Sequence, residues 1–135
     1  MIGFVVVAHG GLGRALIDSA EMILGQQECV FDVSVSSLSM KIDDLREELL
    51  EIIDKADQGD GVLVFTDLFG GTPSNLAIST LGIRNVEIIA GVNLPMLLRG
   101  LILRGQNPRC TLQEVCHRTE ESGRKQISIV SDLVA

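Results

Sequence analysis

Two uninterrupted apolar segments constrain the fold of this chain more than any other feature. Residues 2–8 read IGFVVVA and residues 62–65 read VLVF, and neither segment contains a polar side chain. A strand with one face in water alternates apolar and polar residues, so these runs indicate strands buried on both faces, as in a parallel sheet. Both runs are far shorter than the roughly 20 residues that a membrane-spanning helix requires. We therefore expect no segment that crosses a membrane.

Helical patterns alternate with strand patterns along the chain. Apolar residues recur at helical spacing over residues 12–24 and 42–56, and residues 31–35 alternate as a strand between them. After the third strand, the pattern predicts a helix that is capped by Thr72 and begins with Pro73. It then predicts a strand at 86–90, a helix at 94–104, a helix that begins at the capping box 111–114 and ends at Gly123, and a last strand at 126–130. This order predicts one α/β domain over residues 1–135, doubly wound around a mainly parallel sheet of order 2-1-3-4.

Charge and cysteine content narrow the classes of partner and the compartment. The formal net charge is −7, which disfavours nucleic acids and anionic membrane surfaces because both would repel the chain, and therefore favours a protein partner. Cys29, Cys110 and Cys116 form no CxxC pair, and the N-terminus lacks the pattern of a signal peptide. A reducing compartment, and hence the cytoplasm, is the expected location.

The predicted strand order brings two polar residues together. In a doubly wound sheet, ligands bind at the carboxyl ends of the strands, at the point where the strand order reverses, here between the first and third strands. His9 follows the first strand and Asp67 follows the third. Adjacent strands lie about 4.8 Å apart, so the two side chains can form a hydrogen bond. A carboxylate that holds one imidazole nitrogen as N–H leaves the other nitrogen free to attack an electrophile.

The turns beside these two residues favour an anionic electrophile. Gly10 and Gly11 precede one predicted helix, and Gly70, Gly71 and Thr72 precede another, so free backbone N–H groups face the crevice. A phosphoryl group suits such a site, with Gly10, Gly70, Gly71 and Thr72 as its expected contacts. Neither glycine pair is followed by a Walker lysine, and no cluster with metal-ligand spacing lies nearby, so we predict neither a metal nor a cofactor.

Three motifs resemble one protein family over essentially the whole chain. They are the apolar strand that runs into His9, residues 67–75 (DLFGGTPSN) and residues 90–96 (AGVNLPM). Together they resemble the mannose-type IIA component of the bacterial phosphoenolpyruvate:sugar phosphotransferase system. The resemblance implies a protein-histidine phosphotransferase, in which His9 accepts a phosphoryl group from the phosphocarrier HPr and passes it to a IIB component. It also implies that Asp67 orients His9, and that residues 126–130 form a strand exchanged within a homodimer.

The biological role stays open between two readings of the same chemistry. The sequence carries no IIB domain after residue 135, so we expect a free-standing IIA unit that is at most peripheral to a membrane permease. Such a unit either serves sugar uptake or acts as a regulatory phosphoprotein whose His9 state controls a partner protein. The identity of any sugar has no signature in the sequence, because a IIA unit contacts proteins rather than sugar.

Other functions fit the residues less well. A histidine phosphatase requires an Arg-His-Gly start, but Ala8 precedes His9 and the second histidine is His117. A flavin-binding module would use aromatic walls, and the chain has no Trp or Tyr. The glycines after His9 lack the GxGxxG spacing of a dinucleotide site. Cys110, Cys116 and His117 lack a fourth ligand for zinc and are more simply read as structural residues.

Overall fold

A computed structural model describes residues 1–36 and 41–134. In chain order the elements are β1 (Gly3–His9), α1 (Leu12–Leu24), β2 (Val30–Val35), α2 (Ile42–Ala56), β3 (Val62–Thr66), α3 (Thr72–Ile78), β4 (Val86–Ala90), α4 (Leu94–Gln106), α5 (Leu112–Lys125) and α6 (Val130–Leu133). The strands form one sheet in the order β2-β1-β3-β4, and every neighbouring pair is parallel. The predicted α/β class and the 2-1-3-4 order are confirmed.

Helices cover both faces of this sheet, which explains the apolar runs of the central strands. On one face, Phe4 and Val6 of β1 belong to a buried cluster with residues of α1, α4 and α5. On the other face, Val5 and Val7 belong to a second buried cluster with α2 and α3. Successive side chains of a strand point to opposite faces, so both sets must be apolar.

The parallel register carries the ends of β1 and β3 to the same edge of the sheet. Val7 pairs with Thr66, the last residue of β3, and His9 pairs with Val35, the last residue of β2. His9 therefore ends β1 at the edge where Asp67 leaves β3. We call this the carboxyl edge of the sheet.

Three predicted helix ends differ from the observed ones, and the simplest is α4, which continues two residues beyond the predicted end at Arg104 to Gln106. Gly71 is the N-cap of α3, and Thr72 is the first helical residue with no side-chain capping bond, so Thr72 was wrongly predicted as the cap. Gly123 does not end α5, which continues to Lys125. A Cβ atom at position 123 would lie 2.5 Å from Met96 Cε, so this glycine permits close packing of α5 against α4. Local sequence cannot separate a glycine that ends a helix from one that packs inside it.

The predicted strand at residues 126–130 is not observed within this single chain. Residues 126–129 pair with no strand of the described sheet, and α6 begins at Val130. Five apolar side chains of this segment are exposed: Ile127, Ile129, Val130, Leu133 and Val134. We call residues 126–134 the C-terminal segment.

Within the described ranges, no helix combines the length and apolarity needed to cross a bilayer.

Candidate functional site

His9 and Asp67 are hydrogen-bonded at the carboxyl edge. His9 Nδ1 lies 2.7 Å from Asp67 Oδ2, and the backbone N–H of His9 donates to the same oxygen at 3.0 Å. The backbone N–H of Leu68 donates to the second carboxylate oxygen, Oδ1, at 2.9 Å. The side chain of Asp67 is 9% exposed, whereas that of His9 is 51% exposed. The carboxylate is therefore held inside the loop while the imidazole faces outward.

The charge state of Asp67 determines which imidazole nitrogen carries the proton. Burial raises the pKa of Asp67, but the hydrogen bonds from the His9 backbone, the His9 side chain and the Leu68 backbone outweigh it and hold this pKa below its usual value. At neutral pH the carboxylate is ionised and can only accept hydrogen bonds. Nδ1 of His9 must then be the donor, and the lone pair of a neutral imidazole lies on Nε2. Among the described residues, Nε2 has no hydrogen-bond partner.

The turn after His9 is fixed by β2, the strand on its other side. Gly10 has a φ of +57°, a left-handed conformation that favours glycine. Its N–H donates to the Val35 carbonyl at 3.0 Å, and its carbonyl accepts a hydrogen bond from Ser34 Oγ at 2.6 Å. Sequence reasoning missed Ser34, although its position at the end of the neighbouring strand was available as a signal.

The glycines after Asp67 bring the loop against the imidazole. A Cβ atom at position 71 would lie 3.3 Å from His9 Cε1 and 3.5 Å from Leu68 Cδ1, so Gly71 packs beside the ring. Gly70 has a φ of +101°, which again favours glycine. Thr72 follows Gly71 as the first residue of α3 and is half-buried. The structure thus places Gly71 at the ring, with Gly70 and Thr72 as its chain neighbours.

The buried residue Thr66, at the end of β3, contacts both the loop of Asp67 and the loop after β4. The Thr66 carbonyl accepts hydrogen bonds from the N–H groups of Gly91 and Val92 at 3.0 and 3.1 Å. Thr66 Oγ1 lies 3.4 Å from the Leu68 carbonyl, to which it donates. Gly91 and Val92, in the motif at 90–96, therefore hold the end of the strand that precedes Asp67. The sequence alone did not assign this role.

The family model for the EIIA-man group, described as the PTS system fructose IIA component, matches residues 3–118. The chain belongs to the EIIA-man family. Over 127 residues this EIIA-man chain is 33% identical to the "PTS system mannose-specific EIIAB component" of Escherichia coli strain K12. The aligned region makes up 93% of this chain and 38% of that protein. The chain thus spans well under half of the length of its mannose-specific relatives.

Two further comparisons agree with this family assignment. Over 105 residues the EIIA-man chain is 34% identical to the "PTS system fructose-specific EIIA component" of Bacillus subtilis strain 168, covering 77% of the chain and 71% of that protein. The crystal structure of phosphotransferase system component EIIA from Streptococcus agalactiae superposes with a TM-score of 0.85 at 27% identity, covering 98% and 99% of the two chains. The resemblance inferred from the motifs is confirmed, and so is the IIA fold.

Exposed apolar side chains lie in the loops that carry the site. Leu12, the first residue of α1, is 44% exposed, and Leu68 and Phe69, directly after Asp67, are 50% and 78% exposed. The helical pattern had grouped Leu12 with the core-facing residues of α1. Two surface hollows, of about 390 and 470 Å³, are lined mainly by residues of β4, α4 and α5. Neither His9 nor Asp67 is among their lining residues. Leu12, Leu68 and Phe69 therefore add exposed apolar surface to the segments that follow His9 and Asp67.

The cysteines and the second histidine lie away from this site. Cys110 and Cys116 are buried in the α4 and α5 layer, and Cys29 is partly exposed. Burial is the main cause that raises the pKa of Cys116 to about 11, so the thiolate form that metals bind is disfavoured. His117 Nδ1 donates to the Gln113 carbonyl at 2.8 Å on the exposed side of α5. In the part of the chain described, no three metal-ligating side chains are grouped.

Proposed function

We propose that this EIIA-man chain is a cytoplasmic phosphohistidine carrier that accepts a phosphoryl group on His9 from phosphorylated HPr and transfers it to a IIB component during sugar uptake. The observation that carries the proposal is the hydrogen bond of 2.7 Å between His9 Nδ1 and Asp67. It leaves Nε2 as the nucleophile on an imidazole that is half exposed. Family membership supports the same reaction class.

Both transfers, from the donor to His9 and from His9 to the acceptor, are displacements at phosphorus. Nε2 forms a bond to the phosphorus as the bond between phosphorus and the donor breaks, and the donor leaves with that electron pair. The imidazole gains positive charge, which the ionised Asp67 stabilises through Nδ1–H. The acceptor's nucleophile then attacks the same phosphorus, and the bonding electrons return to Nε2. No metal or cofactor enters this scheme.

The phosphoryl oxygens would contact the turns that flank the ring. Gly71 packs beside His9 Cε1, and Gly10 follows His9 directly in the chain. Glycine lets N–H groups approach a phosphoryl group closely because it carries no side chain. We assign Gly10, Gly70, Gly71 and Thr72 as the phosphate contacts on this basis.

Two features of the surface support a protein as donor and as acceptor. The segments that follow His9 and Asp67 carry the exposed side chains of Leu12, Leu68 and Phe69, which suit the apolar centre of a protein interface. The net charge of −7 favours a partner with a basic rim.

Labelling with radioactive phosphate tests the proposal. The chain is incubated with phosphoenolpyruvate, enzyme I and HPr, and we expect one acid-labile phosphate per chain. His9→Ala should abolish the label, whereas His117→Ala is the matched control and should be labelled normally. Label that persists in His9→Ala would overturn the assignment of the phosphorylated residue.

Addition of a IIB component should then remove the phosphate from the wild-type chain. Retention of the label would favour the regulatory reading, in which the phosphorylated chain itself acts on a partner.

We further propose that two chains exchange their C-terminal segments in a homodimer. The segment exposes five apolar side chains, and β4 is an edge strand of the described sheet, with β3 as its neighbour there. A hollow of about 470 Å³ runs along β4, lined in part by Ile88, Ala90 and His117. A strand from a second chain would cover both the edge and the apolar residues.

Light scattering tests the exchange. It should give a dimeric mass for the full chain and a monomeric mass after deletion of the segment. The same oligomeric state for both would contradict the exchange.

A further inference from the structure

The turn between His9 and α1 is held from β2 by a single side-chain hydroxyl. Ser34 Oγ donates to the Gly10 carbonyl at 2.6 Å, and the Gly10 N–H donates to the Val35 carbonyl at 3.0 Å. Both polar backbone groups of Gly10 are therefore bound by the last two residues of β2. Asp67 holds His9 from the opposite side, since it lies after β3.

Hydrogen bonds are needed here because packing does not restrain the turn. Gly10 has a φ of +57°, and a Cβ atom at this position would meet nothing within 4 Å. Glycine has more conformational freedom to lose than any other residue, so an unpacked glycine turn samples several backbone conformations unless hydrogen bonds select one. The bonds to Val35 and Ser34 make that selection, and only the second depends on a side chain.

Fixing the Gly10 carbonyl also fixes the peptide group next to the nucleophile. In a trans peptide the C=O and N–H groups point in opposite directions, so binding the Gly10 carbonyl to Ser34 sets the direction of the Gly11 N–H. A carbonyl oxygen that rotated toward the phosphoryl group would repel its negative oxygens. The hydroxyl of Ser34 keeps that carbonyl directed toward β2.

We propose that Ser34 is a positioning residue for phosphoryl transfer at His9, acting through the Gly10 turn without touching the phosphoryl group. This inference rests on the proposed function and deepens it. A site held in its reactive geometry before the partner docks avoids the cost of ordering the turn during transfer. Loss of the hydroxyl should therefore slow the transfer step and leave partner binding intact.

Paired substitutions of nearly equal shape isolate the hydroxyl. Ser34→Thr keeps it and Ser34→Val removes it, and both side chains suit a strand. We expect Ser34→Val to lower the maximal rate of His9 phosphorylation by phosphorylated HPr about threefold to tenfold, the loss of one hydrogen bond, with KM for HPr unchanged. Ser34→Thr should stay within about twofold of the wild type, since the bond is retained. Thermal unfolding of both variants shows whether a rate change comes from lost structure.

Ser79→Ala is the matched control because Ser79 Oγ makes a bond of the same kind, to the Leu76 carbonyl at 2.6 Å, at the far end of α3. It should transfer phosphate at the wild-type rate. Equal maximal rates for Ser34→Val and Ser34→Thr would overturn the proposal. So would a higher KM at unchanged maximal rate, which assigns Ser34 to docking. A wild-type chain that takes no phosphate on His9 contradicts the proposed function and this inference together, whereas normal labelling with equal rates contradicts only the role of Ser34.

Discussion

At the amino end of β1, Arg104 is only 6% exposed, whereas at the carboxyl end the side chain of His9 is 51% exposed. Arg104 reaches this end because α4 runs antiparallel to the strands and ends beside the start of β1. Its guanidinium donates to the Ile2 carbonyl at 2.8 Å and to the Glu28 carbonyl, and it lies 5.0 Å from the centre of the Phe4 ring. Burial lowers the pKa of this arginine.

The two ends use a polar side chain in opposite ways. Arg104 directs its donors to backbone carbonyls just before β1 and β2, so its polar groups serve the fold. His9 uses one nitrogen to bind Asp67 and keeps the other available at the surface. A buried group whose hydrogen bonds go to the backbone stabilises structure, and a group held in place with one reactive atom free can do chemistry. The comparison predicts that stability and transfer can be changed separately.

The largest effect is expected at the amino end. Arg104→Met should lower the free energy of unfolding by about 4 kcal/mol, because the carbonyls of Ile2 and Glu28 lose charged donors. Urea unfolding followed by circular dichroism measures the change. The fraction that stays folded should still accept phosphate on His9. Arg84→Met is the control, since Arg84 pairs with Asp54 at the surface, and it should change stability little. Equal stability of the two variants would break the comparison.

A somewhat smaller effect is expected at the carboxyl end, on rate instead of stability. Asp67→Ala should slow phosphoryl transfer to His9 about 100-fold, because the imidazole loses the group that sets its tautomer and balances its charge. Rapid-quench labelling with phosphorylated HPr measures the rate. Asp54→Ala removes another carboxylate whose pKa is lowered by an ion pair, with Arg84, and should leave the rate unchanged. Wild-type kinetics in Asp67→Ala would remove the orienting role.

The smallest effect concerns pH and the same carboxylate. The pKa of Asp67 in the folded chain lies below the unperturbed 3.8, so its ionised form stabilises the fold above that value. This contribution is lost as the pH falls through the lower, folded pKa. The stability difference between wild type and Asp67→Ala should therefore shrink as the pH falls below about 3.8. Urea unfolding at pH 6 and pH 3 tests this, and a difference that grows on acidification would contradict it.

Pattern alone predicted most of the secondary structure, because the relevant signals are local. The helical spacing over 12–24 and 42–56 gives the observed bounds of α1 and α2, and the strand at 86–90 is β4. Two of the errors at helix ends, at Thr72 and Gly123, came from residues whose role depends on the tertiary structure around them. The predicted strand at 126–130 pairs with no strand of the described sheet. In the exchange proposed above, its conformation depends on a second chain, which sequence periodicity does not describe.

Sequence by itself determined the parallel sheet, its strand order and the meeting of His9 with Asp67. Apolar runs identify strands covered on both faces, and the order of elements with right-handed crossovers brings the first and third strands together. Only the tertiary structure decided how the site is held: the hydroxyl of Ser34 on the Gly10 carbonyl, Thr66 behind the Asp67 loop, and Gly71 against the ring. These contacts join residues far apart in the chain, and a short polar residue in a strand or loop gives no local sign of which carbonyl it will bind.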